Sequence, residues 1–242
     1  MNPTRNYQLT IIIPVYDEED NIVALVKALK EYLPKASMTT CVLFVNDGSK
    51  DSSLEKIKEV CVRNEDFYYI SLKHNAGLSA ALKAGIDYVE SAYLGYMDAD
   101  LQTSPDDFNL LIEHLPNNDL VMGIRADRRD SGFKKIQSKI ANSFRRAMTG
   151  DGARDTGCPL KVMKSDVAKK IPFFNGLHRF LPAMVLLQRD CRYEQVPVRH
   201  FPRVAGQSKY HLWNRLVSPL IDCFAYRWMR KRYINYEIEE VG

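Results

Sequence analysis

Tyr93-Leu94-Gly95-Tyr96-Met97-Asp98-Ala99-Asp100-Leu101-Gln102 decides the fold: an apolar run breaks directly into a pair of carboxylates one residue apart. On an extended segment, residues i and i+2 share a face, so Asp98 and Asp100 can reach one divalent cation with no helix to hold them. A hard cation such as Mg²⁺ or Mn²⁺ takes one or two carboxylates and completes its shell with phosphate oxygens and water, and Gln102 can add a neutral oxygen. Taken alone, the tripeptide also reads as a polar turn at a strand end.

The neighbouring segments repeat the design. Leu9 to Val15 is a nearly continuous β-branched run, as in a strand buried on both faces, and it breaks into Tyr16-Asp17-Glu18-Glu19 before a helical pattern. Cys41 to Val45 breaks into Asn46-Asp47-Gly48-Ser49-Lys50-Asp51-Ser52, readable as a turn with a helix cap at Asp51 or Ser52. The pattern predicts strands near 9–15, 41–46, 67–72, 93–98 and 120–124, with helices near 19–33, 52–63, 77–90 and 105–115. Such alternation implies an α/β fold whose mostly parallel sheet carries helices on both faces and binds ligands at the carboxyl ends of its strands. No G-x-G-x-x-G follows the first strand, which argues against a dinucleotide-dependent dehydrogenase. There is no internal repeat and no low-complexity linker.

Composition bounds the rest. The chain has 242 residues, 45% of them apolar, enough for one sizeable core with room for an appendage. Five scattered cysteines (41, 61, 158, 191 and 223) without C-x-x-C spacing argue against a disulfide framework or a zinc site and fit a reducing cytosol. MNPTRNYQ lacks an apolar signal region, and no stretch approaches the roughly 20 apolar residues of a membrane span, so the expectation is a non-integral protein. Net charge divides unevenly. Residues 1–122 hold 10 basic and 19 acidic side chains, net −9, whereas residues 123–242 hold 24 and 11, net +13. An anionic partner would dock on the second half. No recognition-helix or RNP-like signature supports nucleic acid, whereas an anionic membrane surface or a polyphosphate substrate explains the charge.

In order along the chain, IIIPVYDEEDNI (11–22), VNDGSKDSS (45–53), HNAGLSAALKAGID (74–87) and DADLQ (98–102) resemble the successive motifs of a family 2 glycosyltransferase with the Rossmann-like GT-A fold. GIRADRRDS (123–131), SKIANSFRR (138–146), DTGCPLKV (155–162) and RVAGQSKYHLW (203–213) resemble a narrower branch, the polyprenyl-phosphate glycosyltransferases, which includes dolichyl-phosphate mannose synthase and the bacterial undecaprenyl-phosphate sugar transferases. The resemblance implies a catalytic domain over 1–210; the residue pattern itself marks 211–242 as a C-terminal amphipathic segment, where many relatives carry transmembrane helices instead. It implies transfer of a monosaccharide from a GDP- or UDP-sugar to dolichyl or undecaprenyl phosphate at the cytosolic face of a membrane, with Mg²⁺ or Mn²⁺ as cofactor. It leaves room for a separate membrane partner protein.

The resemblance also assigns roles. Pro14, Tyr16 and Glu18 lie along the nucleoside, Asp47 hydrogen-bonds the base or ribose, and Asn75 and Gly77 border the nucleotide. Asp98, Ala99, Asp100 and Gln102 carry the donor diphosphate and its metal, and Arg203, Ser208 and Lys209 close over that diphosphate as a loop. Arg125, Arg128 and Ser131 face the acceptor phosphate. Chemistry supports cationic side chains here, because arginine forks match phosphate oxygens in pairs and lysine acts as a point charge. The catalytic set is thus Asp98, Asp100, Arg125, Asp155 and Arg203. A lipid phosphate is already an anion at neutral pH and needs no general base. Hydroxyl-transferring relatives carry an acidic base motif where this chain reads Asp155-Thr156-Gly157-Cys158, so Asp155 is free to orient an arginine or the acceptor. The expected chemistry is in-line displacement with inversion.

Two stretches have the pattern of basic amphipathic helices. One carries Ile136, Ile140, Phe144 and Met148 among Lys134, Lys135, Lys139, Arg145 and Arg146. The other carries Leu212, Leu216, Leu220, Phe224 and Trp228 beside Trp213, Val217, Ile221, Ala225 and Met229, and ends in Arg227, Arg230, Lys231 and Arg232. Pro219 predicts a kink or division of the second. Each apolar stripe suits the core as well as a membrane. Three rival functions stay open: a transferase of the same fold with a saccharide hydroxyl acceptor, a noncatalytic nucleotide-sugar-binding protein and a nucleic-acid-binding protein. Sugar identity, GDP or UDP, polyprenol type, preferred metal and oligomeric state are not legible.

Overall fold

A computed structural model describes residues 2–125, 143–202, 212–236 and 238–240. Seven strands, β1 (Leu9–Val15), β2 (Thr40–Asn46), β3 (Phe67–Ser71), β4 (Tyr93–Tyr96), β5 (Leu120–Arg125), β6 (Lys161–Lys164) and β7 (Tyr193–Val198), form one sheet in the order β3-β2-β1-β4-β6-β5-β7. All pair in parallel except β6, which runs against both β4 and β5. The carboxyl ends of the parallel strands and the start of β6 therefore share one edge.

Period-2 alternation sends the β1 side chains to two cores. Ile11, Ile13 and Val15 join Phe44, Phe108 and the inward face of α1 (Glu19–Tyr32), whereas Ile12 joins Leu43, Val45 and helix α3 (Leu78–Tyr88). Helix α1 follows from Ile22, Leu25, Val26, Leu29 and Tyr32, spaced by three and four and all buried, while Val23 between them faces solvent. Helix α2 (Ser53–Arg63) starts where Asp51 Oδ1 accepts from the Ser53 amide at 2.9 Å, so Asp51, one residue before the N-cap, caps it.

Pro14 sits inside a central strand without cost. The Ile12 carbonyl accepts from Met97 N and the Val15 carbonyl from Asp47 N, so even residues of β1 bond toward β4 and odd ones toward β2. Pairing with β4 ends at Ile12 opposite Tyr96, and Pro14 falls one step beyond, where no ladder amide is required.

The remaining α-helices among the described residues are α4 (Phe108–Ile112), α5 (143–149), α6 (Ser165–Lys169), α7 (Leu181–Val185) and α8 (Leu212–Arg230). One expectation is narrowed and one is corrected. Of the two outcomes expected at Pro219, division does not occur: α8 runs as one element, because a single missing hydrogen bond does not end a helix whose later turns are anchored through Cys223 and Tyr226. Arg145 does not join an exposed basic face. It is buried, pairs with Asp151 through Nη1 and donates from Nη2 to the Ala153 carbonyl at 2.7 Å. The stretch Ile136 to Ile140 lies outside the described residues.

Candidate functional site

The first two strand-end loops brace each other. The Asp17 amide donates to Ser49 Oγ at 3.1 Å, Asp17 Oδ1 accepts from the Lys50 amide at 2.7 Å, and the Glu18 amide donates to Ser53 Oγ at 2.9 Å. Asp17 holds φ at +48°, a left-handed value that short polar side chains tolerate. Pro14, Tyr16 and Glu18 are half-buried along this edge.

Asp47 is buried and its carboxylate is committed to the protein. Oδ1 accepts from Ala76 N at 2.8 Å, and Oδ2 accepts from Gly77 N at 2.9 Å and Asn75 Nδ2 at 3.1 Å. Asp47 thus ties the 75–77 loop to the end of β2 and starts α3. The two backbones approach closely: a Cβ on Gly48, whose φ is +67°, would lie 2.6 Å from Asn75 N and the His74 carbonyl carbon, so only glycine fits.

The third loop carries the acidic pair. Asp98 Oδ1 accepts from the Tyr96 hydroxyl at 2.6 Å, and Asp100, 6% exposed, accepts the Gln102 amide on Oδ1 at 3.1 Å. Leu101 turns at φ +55°. The Gln102 carbonyl accepts from Phe201 N at 2.9 Å and from the His200 ring Nδ1 at 3.0 Å, which ties this loop to the segment after β7. Among the described residues no group of three or more His, Cys, Asp or Glu could hold a metal. A carboxylate pair with no nitrogen or sulfur donor fits a hard divalent cation that draws its other ligands from phosphate and water, and does not fit a structural zinc.

Across the reversed strand stands a second charged group. Arg125, at the end of β5, grips Asp155 as a fork: Nε to Oδ2 at 2.8 Å and Nη2 to Oδ1 at 2.9 Å. Gly157 N adds a bond to Oδ1 at 3.2 Å, and a Cβ on Gly157 would lie 2.9 Å from Arg125 Nη2. Asp155 therefore pairs with Arg125 through both of its oxygens.

Sequence reasoning missed Lys161, Tyr96 and His178. Lys161 opens β6, buried, with its ammonium donating to the Cys158 carbonyl and lying 5.2 Å from the Tyr96 ring centre. Burial pushes its pKa down, against the attraction of Asp98 and Asp155. His178 pairs through Nδ1 with Ser79 Oγ at 2.9 Å at the start of α3, and burial lowers its pKa to about 3, so the ring is neutral at physiological pH. A lysine inside the apolar run CPLKVM was the available signal for Lys161. Arg128, Ser131, Arg203, Ser208 and Lys209 lie outside the described residues. Asn75, Gly77, Ala99 and Gln102 fall on the same edge as Asp47, Asp98 and Asp100.

A groove of about 1290 Å³ lined by Asp119, Lys164, Phe173, Trp228 and Tyr233, among others, opens at the other ends of the strands, before β5 and after β6. It contains none of the paired groups above, so chemistry rather than volume locates the site.

The model of the family "Glycosyl transferase family 2" matches residues 10–172. The chain is 30% identical over 226 residues to dodecaprenyl-phosphate galacturonate synthase of Rhizobium johnstonii, covering 91% of this chain and 67% of that protein. It is 30% identical over 220 residues to undecaprenyl-phosphate 4-deoxy-4-formamido-L-arabinose transferase of Edwardsiella ictaluri, covering 89% and 67%. The chain thus spans about two thirds of the length of these relatives. The fold is similar to that of glucosyl-3-phosphoglycerate synthase from Mycobacterium tuberculosis, solved with Mn²⁺, UDP-glucose and phosphoglyceric acid: TM-score 0.67, 12% identity, 94% of this chain and 81% of that one.

Proposed function

The chain belongs to glycosyl transferase family 2, and we propose that it moves a monosaccharide from a nucleotide sugar to a polyprenyl phosphate by in-line displacement with inversion. The observation that carries this reading is the meeting, on one sheet edge, of a carboxylate pair at the end of β4 with an arginine fork at the end of β5. The two relatives named above, a synthase and a transferase, both carry a polyprenyl phosphate in their names.

Asp98 and Asp100, with Gln102, would hold the divalent cation; when bound, Mg²⁺ or Mn²⁺ supplies Lewis-acid stabilisation of charge on the leaving diphosphate. Pro14, Tyr16, Glu18 and Asp47 border the nucleoside, Asp47 acting through the 75–77 loop. The planar guanidinium of Arg125, held by Asp155, suits an acceptor phosphate, and in the same reading Arg128 and Ser131 serve that phosphate while Arg203, Ser208 and Lys209 serve the donor diphosphate. Asp155 is committed to Arg125 and takes no proton, in keeping with an acceptor that arrives as an anion. Positioning and charge stabilisation then provide the rate. The decisive experiment incubates the protein with Mg²⁺ or Mn²⁺, labelled UDP- and GDP-sugars and a short polyprenyl phosphate. Label should enter the lipid phase; label that passes only to water or to saccharide hydroxyls would overturn the acceptor.

Residues 1–210 form the catalytic unit and 211–242 the membrane-surface segment in this reading. No helix among the described residues is long and apolar enough to cross a membrane. The outer face of α8 suits peripheral contact: Ile221, Phe224 and Trp228 are more than 60% exposed and share a stripe, with Arg227, Arg230, Lys231 and Arg232 exposed beside them and the Arg232 guanidinium 5.5 Å from the Trp228 ring centre. The other face, through Cys223 and Tyr226, belongs to the core. Phe224→Ser with Trp228→Ser is expected to weaken binding to anionic vesicles at least tenfold in flotation assays while leaving the melting temperature within a few degrees. Unchanged flotation would remove α8 from membrane contact.

A further inference from the structure

Lys161 stands where the donor and acceptor halves of the site meet. It faces Tyr96 on β4 and Met122 on β5 across the ladders, and its side chain is only 2% exposed as a residue. Asp98 and Asp155 attract its ammonium and Arg125 opposes it. Asp98 is also tied to the same corner through the Tyr96 hydroxyl, over whose ring the ammonium lies. Asp98, Lys161, Asp155 and Arg125 thus alternate in sign from the acidic loop to the fork. A buried ammonium is expensive unless its surroundings use its charge, and packing alone would be served as well by methionine.

We propose that Lys161 is a positioning residue that couples the two halves: cation binding at the Asp98–Asp100 pair turns the ammonium toward Asp155, and Asp155 in turn loosens its hold on Arg125. A divalent ion neutralises Asp98 and repels the ammonium, which leaves Asp155 as the carboxylate that attracts it, beside the Cys158 carbonyl it already bonds. A carboxylate shared with a second cation binds the first less tightly, so the guanidinium fork becomes available to an incoming phosphate. Donor and acceptor then bind with positive coupling, and by linkage the effect is reciprocal. The inference rests on the reading of Arg125 as the acceptor-phosphate ligand given above.

The test reads binding. In calorimetric titrations, Mg²⁺ with UDP or GDP should tighten farnesyl phosphate at least tenfold in the native protein. In Lys161→Met, which keeps the length and apolar stem, the factor should fall below threefold while each ligand still binds alone; Lys161→Arg should restore coupling. Equal coupling in the native protein and Lys161→Met overturns the proposal. A second readout needs no Lys161 variant. The Arg125 Nε–H resonance, assigned by its loss in Arg125→Lys, should shift and exchange faster on addition of Mg²⁺ and nucleotide before any lipid is present, and an unmoved resonance overturns the coupling. Movement of that resonance without farnesyl phosphate binding supports the coupling and removes the lipid phosphate from the acceptor role instead.

Discussion

Asp100→Ala should lower transfer at least a thousandfold, a loss of about 4 kcal/mol of transition-state stabilisation. Asp100 is buried at the point where the chain reverses after β4, and its Oδ1 takes the Gln102 amide. Alanine removes the metal-binding charge and also strands that amide, which costs about 1–3 kcal/mol of stability. Asp100→Asn separates the effects: it keeps an oxygen for Gln102 and loses only the charge. Both variants should fail in turnover and in Mn²⁺ binding followed by electron paramagnetic resonance, and only the alanine variant should melt several degrees lower. Full activity in either would remove the carboxylate pair from the mechanism.

Asp47→Ala is expected to give the second large effect, chiefly on stability and donor affinity. It deletes an acceptor that serves Asn75, Ala76 and Gly77 together and leaves the Ala76 and Gly77 amides without that partner. A loss of about 2–4 kcal/mol should appear in urea unfolding, with donor KM raised at least tenfold. Asp47→Asn should fall between, because an amide nitrogen would face one of the donors. A donor KM unchanged in Asp47→Ala would separate the 75–77 loop from the nucleotide site.

The parallel half of the sheet was legible because β1 and β2 are runs of buried β-branched and apolar residues that end in polar loops, a pattern that local periodicity carries in full. Strands β6 and β7 escaped it. Lys-Val-Met-Lys is short and begins with a buried charge, and Tyr-Glu-Gln-Val-Pro-Val is a half-exposed edge with an internal proline, so neither alternates or runs apolar. At the site, spacing brings Asp98 and Asp100 into one short stretch, but the extended segment expected to set both on one face ends at Tyr96, and residues 99–100 form a turn instead. The Arg125–Asp155 fork and the place of Lys161 beneath it depend on β6 running backward between β4 and β5, a long-range arrangement that no window of sequence reports. The exposed side of α8 was legible as a stripe, but whether the stripe faced inward or outward depended on Cys223 and Tyr226 finding the second core.

The reversed direction of β6 has a consequence for how such an enzyme can diversify. The loops after β1, β2 and β4 leave the sheet at the working edge, whereas 155–160 enters the sheet there, on the way into β6. The two groups share no turn, so the arginine-bearing part of the edge and the acidic, loop-built part can take up substitutions separately without disturbing the strands that hold them.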